Sequence, residues 1–151
     1  MRMCNFCCIF APEIIIKSMS KEEIEKRAAY ARELFKQGYN CSQAVVGACA
    51  DAFGMTDQAL AFRMAASFGG GIGRMRQTCG AACGMFLLEG LRSGSDQPDR
   101  EAKMKNYSRV QALAEEFKAQ NGALNCAELL AMGKRPCAEM VADAVRTVLQ
   151  E

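Results

Sequence analysis

The chain has 151 residues, of which 50% are hydrophobic and 24% are charged, a balance typical of one globular domain that buries its own core. Its formal net charge is +2, and the basic residues are scattered among acidic ones, so no basic stripe favours nucleic acid as a partner. It contains nine cysteines and no histidine. The missing histidine excludes a Ser-His-Asp triad, a Cys-His dyad, a zinc site with histidine ligands and the C-x-x-C-H motif of c-type haem.

Residues 1–18 are predicted to be a disordered extension of a helical domain that covers residues 19–151. Their apolar stretch is interrupted by Pro12 and Glu13, so it is too short for a membrane span and poorly shaped as an export signal. The extension also contains three cysteines, which are Cys4, Cys7 and Cys8. They are left outside the predicted site because residues 19–21 resemble a natural start. A reducing, cytoplasmic location is expected, where clustered cysteines indicate metal or redox chemistry more often than structural disulfides.

The first half of the domain shows apolar residues at helical spacing. A capping box of Ser20 and Glu23 predicts the start of the first helix, and Gly38 predicts its end. A second helix is predicted over residues 40–54. The third ends at Phe68, where a run of glycines begins.

The second half of the domain continues the helical pattern. Thr78 is predicted to cap a fourth helix, and Pro98 to open a long fifth helix that ends near Gly122. Two short helices follow, which start near Cys126 and Cys137. No stretch alternates with a period of two, so the predicted fold is all-α, a compact single-domain bundle of about five to seven helices.

The glycine cluster FGGGIGR, at residues 68–74, does not complete a nucleotide-binding motif. A dinucleotide fingerprint would need glycine where Arg76 stands and a strand before the loop, and no phosphate-loop lysine follows. The first interpretation is therefore a helix terminator with a tight crossing. The alternative is a flexible backbone whose N–H groups close over a cofactor, with Arg74 or Arg76 facing an anion. The cofactor-binding residues of that alternative are Gly70, Gly71, Gly73 and Arg74.

Four cysteines share one position, the first turn of a predicted helix. They are Cys41 after Asn40, Cys79 after Thr78, Cys126 after Asn125, and Cys137 after Pro136. Asparagine and threonine are preferred helix caps, and proline is preferred in the first turn. The free N–H groups and partial positive charge at a helix start lower the pKa of a thiol from about 8.5, sometimes to between about 3.5 and 7.5. In a chain without histidine, helix starts are the obvious remaining means of forming thiolates.

Core packing is the competing interpretation, because cysteine is among the most buried residue types. Cys49, on the apolar side of the second helix, is expected to do only that. Cys83 lies four residues after Cys79 on the same helix face, so it either joins the site or fills space beside Gly80 and Gly84. The spacing of these two glycines lets another helix approach closely, and together with the apolar composition it suits a homodimer.

Three stretches of the chain, taken in order, match a known pattern. They are GYNCSQAV at residues 38–45, FGGGIGR leading to TCGAACG at residues 68–84, and finally Cys126 and Cys137. This order resembles the redox-active protein family labelled C-GCAxxG-C-C, over residues 19–151. The four-cysteine pattern is fairly specific, although each piece alone is weak. The resemblance implies a small helical bacterial or archaeal protein with a redox or metal function.

The chain departs from the family label in one place. The literal string is absent, and residues 79–84 have the pattern C-G-A-x-x-G instead. We match Cys79 to the second cysteine of the family pattern, which leaves Cys83 without an assigned role. Residues 1–18 fall outside the resemblance.

Two mechanisms suit a site made of Cys41, Cys79, Cys126 and Cys137. In the first, the four thiolates surround an iron–sulfur cluster or a zinc ion, since four sulfurs complete either coordination shell. In the second, two cysteines form a reversible disulfide while the others tune or resolve it. A third hypothesis is a non-catalytic helical binding or assembly module with core-packed cysteines. The favoured interpretation is a redox-active or metal-binding thiolate site in an oxidoreductase or electron-transfer protein, whose redox partner the sequence does not identify.

Overall fold

The computed structural model describes residues 18–150, so the predictions for the N-terminal extension and its three cysteines lie outside the described residues. Within residues 18–150 the protein is all-α, as predicted, and has no strand, only an isolated bridge between Thr78 and Asn125. The helices are α1 (Lys21–Lys36), α2 (Cys41–Cys49), α3 (Gln58–Ala65), α4 (Gly80–Ser93), α5 (Arg100–Asn121), α6 (Cys126–Met132) and α7 (Cys137–Leu149). Short 3-10 turns extend α2 and α3, over Ala50–Phe53 and Ala66–Phe68. None of the helices in this part of the chain has the length and apolar character needed to cross a membrane.

Side-chain caps encoded in the sequence set the starts of the first three helices. The Ser20 hydroxyl accepts a hydrogen bond from the backbone N–H of Glu23 at 3.1 Å. Asn40 and Gln43 form both hydrogen bonds of a capping box, as their spacing predicts. Asp57, which the sequence analysis did not single out, caps α3 in the same way through one carboxylate oxygen.

The starts of α4 and α5 differ from the prediction. Thr78 does not cap α4, because it pairs with Asn125 in the isolated bridge, and Cys79 takes the N-cap position without a capping hydrogen bond from its side chain. Pro98 does not open α5. The helix begins two residues later because the carboxylate of Asp99 supplies the acceptor that caps it, which proline cannot do.

The core lies where α2, α4 and α7 meet, with α1 packed against α2 and α7, and α5 against α4 and α7. Two glycines let α4 lie directly against α2. A Cβ atom added to Gly84 would be 2.8 Å from the Cβ of Val45, and one added to Gly80 would be 3.2 Å from the Cβ of Cys41, which is also on α2. The close approach predicted from the spacing of these glycines is therefore made to α2 of the same chain.

Candidate functional site

A narrow pocket lies where the N-terminal ends of α2, α4, α6 and α7 meet. Its lining contains one cysteine from each of these helix starts: Cys41, Cys79, Cys126 and Cys137. Its volume is about 20 Å³, which holds about one water-sized sphere. The structure therefore brings together all four cysteines that the sequence analysis selected.

The close packing of α4 on α2, which Gly80 and Gly84 permit, places Cys41 beside the start of α4. A Cβ atom on Gly80 would lie 3.2 Å from the Cβ of Cys41 and 2.8 Å from the carbonyl oxygen of Phe68, so a larger residue at this position would force the neighbouring chain to shift. Since Cys79 is the residue before Gly80, the same close contact places Cys79 next to Cys41 in the pocket wall.

Backbone hydrogen bonds connect the start of α4 to the start of α6. The N–H of Cys79 donates to the carbonyl oxygen of Leu124 at 2.8 Å, and the N–H of Cys126 donates to that of Gln77 at 2.6 Å. Each cysteine is thus held by its own main chain to the segment that precedes the other helix. These two hydrogen bonds hold Cys79 and Cys126 on the same wall of the pocket.

The glycine loop closes the pocket with a left-handed backbone. All five residues of 70–74 have positive φ, between 58° and 73°. Such a conformation is rare for non-glycine residues and costly for a β-branched one, so Ile72 marks the loop as strained. A Cβ on Gly71 would come within 2.6 Å of the Cβ of Cys126. Glycine is therefore required here both for the backbone angle and for the approach to Cys126.

The residues proposed from sequence to bind a cofactor do not all reach the pocket. Gly70 and Gly71 line it, whereas Gly73 and Arg74 do not. The arginine that reaches a cysteine is Arg76, whose Nη1 donates a hydrogen bond to the Cys126 Sγ at 3.8 Å. Because Arg76 also has positive φ, the turn of the backbone is part of what directs this side chain inward.

Cys83 and Cys49 lie outside the pocket. Cys83 is buried, and its Sγ donates toward the carbonyl oxygen of Thr78 at 3.8 Å. Burial, with a smaller contribution from Cys79, raises the pKa of the Cys83 thiol to about 11. Cys49 is fully buried, which raises its pKa to about 12. Both thiols therefore remain protonated and packed at neutral pH.

The thiols of Cys41 and Cys137 form an unequal pair. A hydrogen bond from Cys41 is the main cause that lowers the pKa of Cys137, to about 6. Burial raises this pKa, whereas the positive charge of Arg76 and the backbone N–H of Cys137 lower it further. The same hydrogen bond, together with burial and the nearby sulfurs, raises the pKa of Cys41, against a backbone hydrogen bond from Gly70. These opposite shifts favour one shared proton in the pair at neutral pH, held more strongly by Cys41 than by Cys137.

The expectation that each helix start lowers the pKa of its cysteine is wrong for Cys79 as well as for Cys41. Burial raises the pKa of Cys79 more than the backbone N–H groups of Ala82 and Ala81 lower it. The sequence pattern places the four cysteines at or beside helix starts, but it does not show how strongly burial opposes each helix start, because burial depends on how the other helices cover each thiol.

Four thiols are the right type of donor for zinc or an iron–sulfur cluster. Among residues 18–150, however, no group of three or more cysteine, aspartate or glutamate side chains is arranged to hold a metal ion. Every cysteine in this part of the chain is a free thiol. The described geometry thus contains a pair of interacting thiols with two further thiols beside it.

Comparison with known proteins gives a family match to residues 39–150, which include all four pocket cysteines. The family is described as "Putative redox-active protein (C_GCAxxG_C_C)". None of the curated proteins and none of the solved structures matches the chain. Because the match spans more than half of the sequence, the chain belongs to the C_GCAxxG_C_C family.

Proposed function

We propose that this protein is a thiol–disulfide redox protein in which Cys41 and Cys137 are the reacting pair. The observation that carries the proposal is that both side chains line one pocket and act on each other, which lowers the pKa of Cys137 and raises that of Cys41. These two cysteines are also the partly exposed members of the set, whereas Cys79 and Cys126 are buried. A substrate disulfide therefore reaches Cys41 and Cys137 before it reaches Cys79 or Cys126.

The thiolate of Cys137 attacks one sulfur of a substrate disulfide, and the S–S bond of the substrate breaks to release a thiolate. Cys41 then loses its proton to the departing sulfur and attacks the Sγ of Cys137, which releases the second substrate sulfur as a thiolate. The pair loses two electrons and forms a disulfide, and the substrate gains two electrons and becomes one thiol and one thiolate, the latter of which takes its proton from water. A nucleophile with a pKa near ambient pH is favourable for this exchange.

The order of the two steps follows from how the pair shares its proton. The pKa of Cys41 is raised first by its hydrogen bond to Cys137, and the negative charge of that thiolate adds to the effect. Both influences end once Cys137 is in a mixed disulfide, so the pKa of Cys41 falls at the moment when Cys41 must become a nucleophile. The backbone hydrogen bond from Gly70 then stabilises the new thiolate.

The iron–sulfur cluster or zinc ion predicted from the four cysteines would use the same sulfurs. The proposal therefore needs an experiment that detects either outcome. The purified protein is isolated anaerobically, its iron and zinc are measured, and it is then treated with a stoichiometric amount of a small disulfide. Free thiols are counted, and disulfide-linked peptides are identified by mass spectrometry.

We expect two thiols to be lost per chain and Cys41 to be linked to Cys137. Cys137→Ser should prevent this link, while Cys83→Ala should leave it intact, because Cys83 lies outside the pocket. Stoichiometric iron or zinc that depends on all four pocket cysteines would refute the dithiol mechanism and favour the metal site. Thiols that stay reduced in a metal-free protein would favour the non-catalytic helical module.

A further inference from the structure

The four-cysteine pocket is too small to enclose a substrate. Its volume of about 20 Å³ admits a sulfur atom, so the remainder of a disulfide stays at the pocket mouth. Leu130 lines the pocket and is 46% exposed, and Met75, next to Arg76 in sequence, is 63% exposed. The residues around the pocket mouth therefore contact the groups that flank the sulfur atoms of the substrate.

Three basic residues occur on the segments that form this mouth. Arg76 contacts the Sγ of Cys126. The Cγ of Arg74 lies 2.9 Å from the position that a Cβ on Gly70 would take, so the base of this exposed side chain lies beside a residue that lines the pocket. Lys134 is exposed in the turn between α6 and Cys137. None of the salt bridges within residues 18–150 includes these three side chains.

Most acidic residues on the neighbouring helices are already neutralised. Glu139, in the first turn of α7, lies 3.1 Å from Arg32, and Asp143 lies 2.6 Å from Arg135. Glu128 on α6 is the exception, since it forms no salt bridge within the described residues. These segments therefore carry three cations outside salt bridges and one unpaired carboxylate, and this excess of positive charge favours an anionic partner.

We propose that this mouth selects low-molecular-mass disulfides with carboxylate groups close to their sulfur atoms, an inference that rests on the thiol–disulfide function proposed above. The cations attract the carboxylates of the incoming disulfide. They also stabilise the thiolate that departs when Cys137 attacks. The balanced reaction consumes the dithiol and one disulfide, and it yields the Cys41–Cys137 disulfide and two carboxylate-bearing thiols.

The test compares three disulfides of similar size and different charge. Dithiodipropionate carries two carboxylates, hydroxyethyl disulfide is neutral, and cystamine carries two ammonium groups. The rate at which each one oxidises the full-length protein is divided by its rate with a free reference thiol, which removes intrinsic differences in leaving-group reactivity. We expect the normalised rates to fall from the anionic to the neutral to the cationic disulfide, and the differences to shrink in high salt.

Arg74→Gln and Lys134→Gln should each reduce the ratio of the anionic to the cationic rate by on the order of two- to fivefold, as expected for one charge pair in water. Lys103→Gln is the matched control, because Lys103 is an exposed lysine on α5, away from the pocket lining. Equal normalised rates for the three disulfides, at low and high salt, would overturn this inference and leave the thiol–disulfide function in place. If none of the disulfides links Cys41 to Cys137, the proposed function itself is wrong.

Discussion

Replacing Cys41 with alanine removes the hydrogen bond that contributes most to the low pKa of Cys137. With a pKa of about 6, Cys137 is about nine-tenths thiolate at pH 7. A thiol with an ordinary pKa of about 8.5 is only about 3% thiolate at that pH, so complete loss of the shift would slow its alkylation about 30-fold. Burial, which raises the pKa of Cys137, opposes Arg76 and the backbone N–H, which lower it. Because a more basic thiolate is also the better nucleophile, we expect a reduction at pH 7 between about threefold and 30-fold.

The assay is the rate of iodoacetamide labelling of Cys137 from about pH 5 to about pH 10, followed on its own peptide by mass spectrometry. A lowered pKa means that the wild-type rate rises as the pH passes about 6 and then levels off. In Cys41→Ala this rise should move to higher pH, and in alkaline solution the rate of the variant should equal or exceed that of the wild type, because the more basic thiolate is the better nucleophile. Cys41→Ser retains a hydroxyl donor and should keep part of the shift. A midpoint that stays near pH 6 in Cys41→Ala would refute the proton-sharing pair.

Two pairs of glycine substitutions test how the backbone builds the site. Gly84→Ala should lower the free energy of unfolding in urea by about 1–3 kcal/mol, because its Cβ would be 2.8 Å from the Cβ of Val45. Gly90→Ala, in open space on the same helix, should raise it by about 0.5–1 kcal/mol. Effects of the same sign would contradict the packing of α4 on α2. Gly71→Ala should disturb Cys41–Cys137 disulfide formation, because its Cβ would overlap Cys126. Gly38 also has positive φ, 105° against 73° at Gly71, but its Cβ would meet no neighbour, so Gly38→Ala should change stability alone. Identical disulfide kinetics in these last two variants would show that the glycine loop does not position the site.

Most of the fold could be predicted from the sequence because its signals are local. The helix caps of α1 and α2 appear in the sequence as residues three apart: the complete Asn40–Gln43 capping box occurs in the structure, and at α1 the Ser20 hydroxyl accepts from the N–H of Glu23. The start of α4 was missed for a non-local reason, since Thr78 pairs with Asn125 across the isolated bridge and leaves the capping position to Cys79. No sequence pattern near Thr78 indicates that it pairs with Asn125.

The membership of the four-cysteine pocket was likewise predictable, but its chemistry was not. Each cysteine lies at or next to a helix cap, which the sequence signals mark. The contacts that bring the helix starts together depend on which residues face Gly71 and Gly80, and these partners, Cys126 and Cys41, are distant in sequence. The same long-range packing decides how deeply each thiol is buried, so it also decides the direction of each pKa shift.

Four cysteines at equivalent helix positions would all be expected to ionise alike if the helix start alone controlled their pKa. In this protein burial raises the pKa of Cys79, while the charge of Arg76 and a hydrogen bond from Cys41 lower the pKa of Cys137. A metal site made of four thiolates needs every sulfur to lose its proton, whereas thiol–disulfide exchange needs one thiolate and one nearby thiol that ionises later. The unequal environments of Cys41 and Cys137 meet the second requirement, and this inequality, more than the number of cysteines, is the basis for proposing a dithiol mechanism.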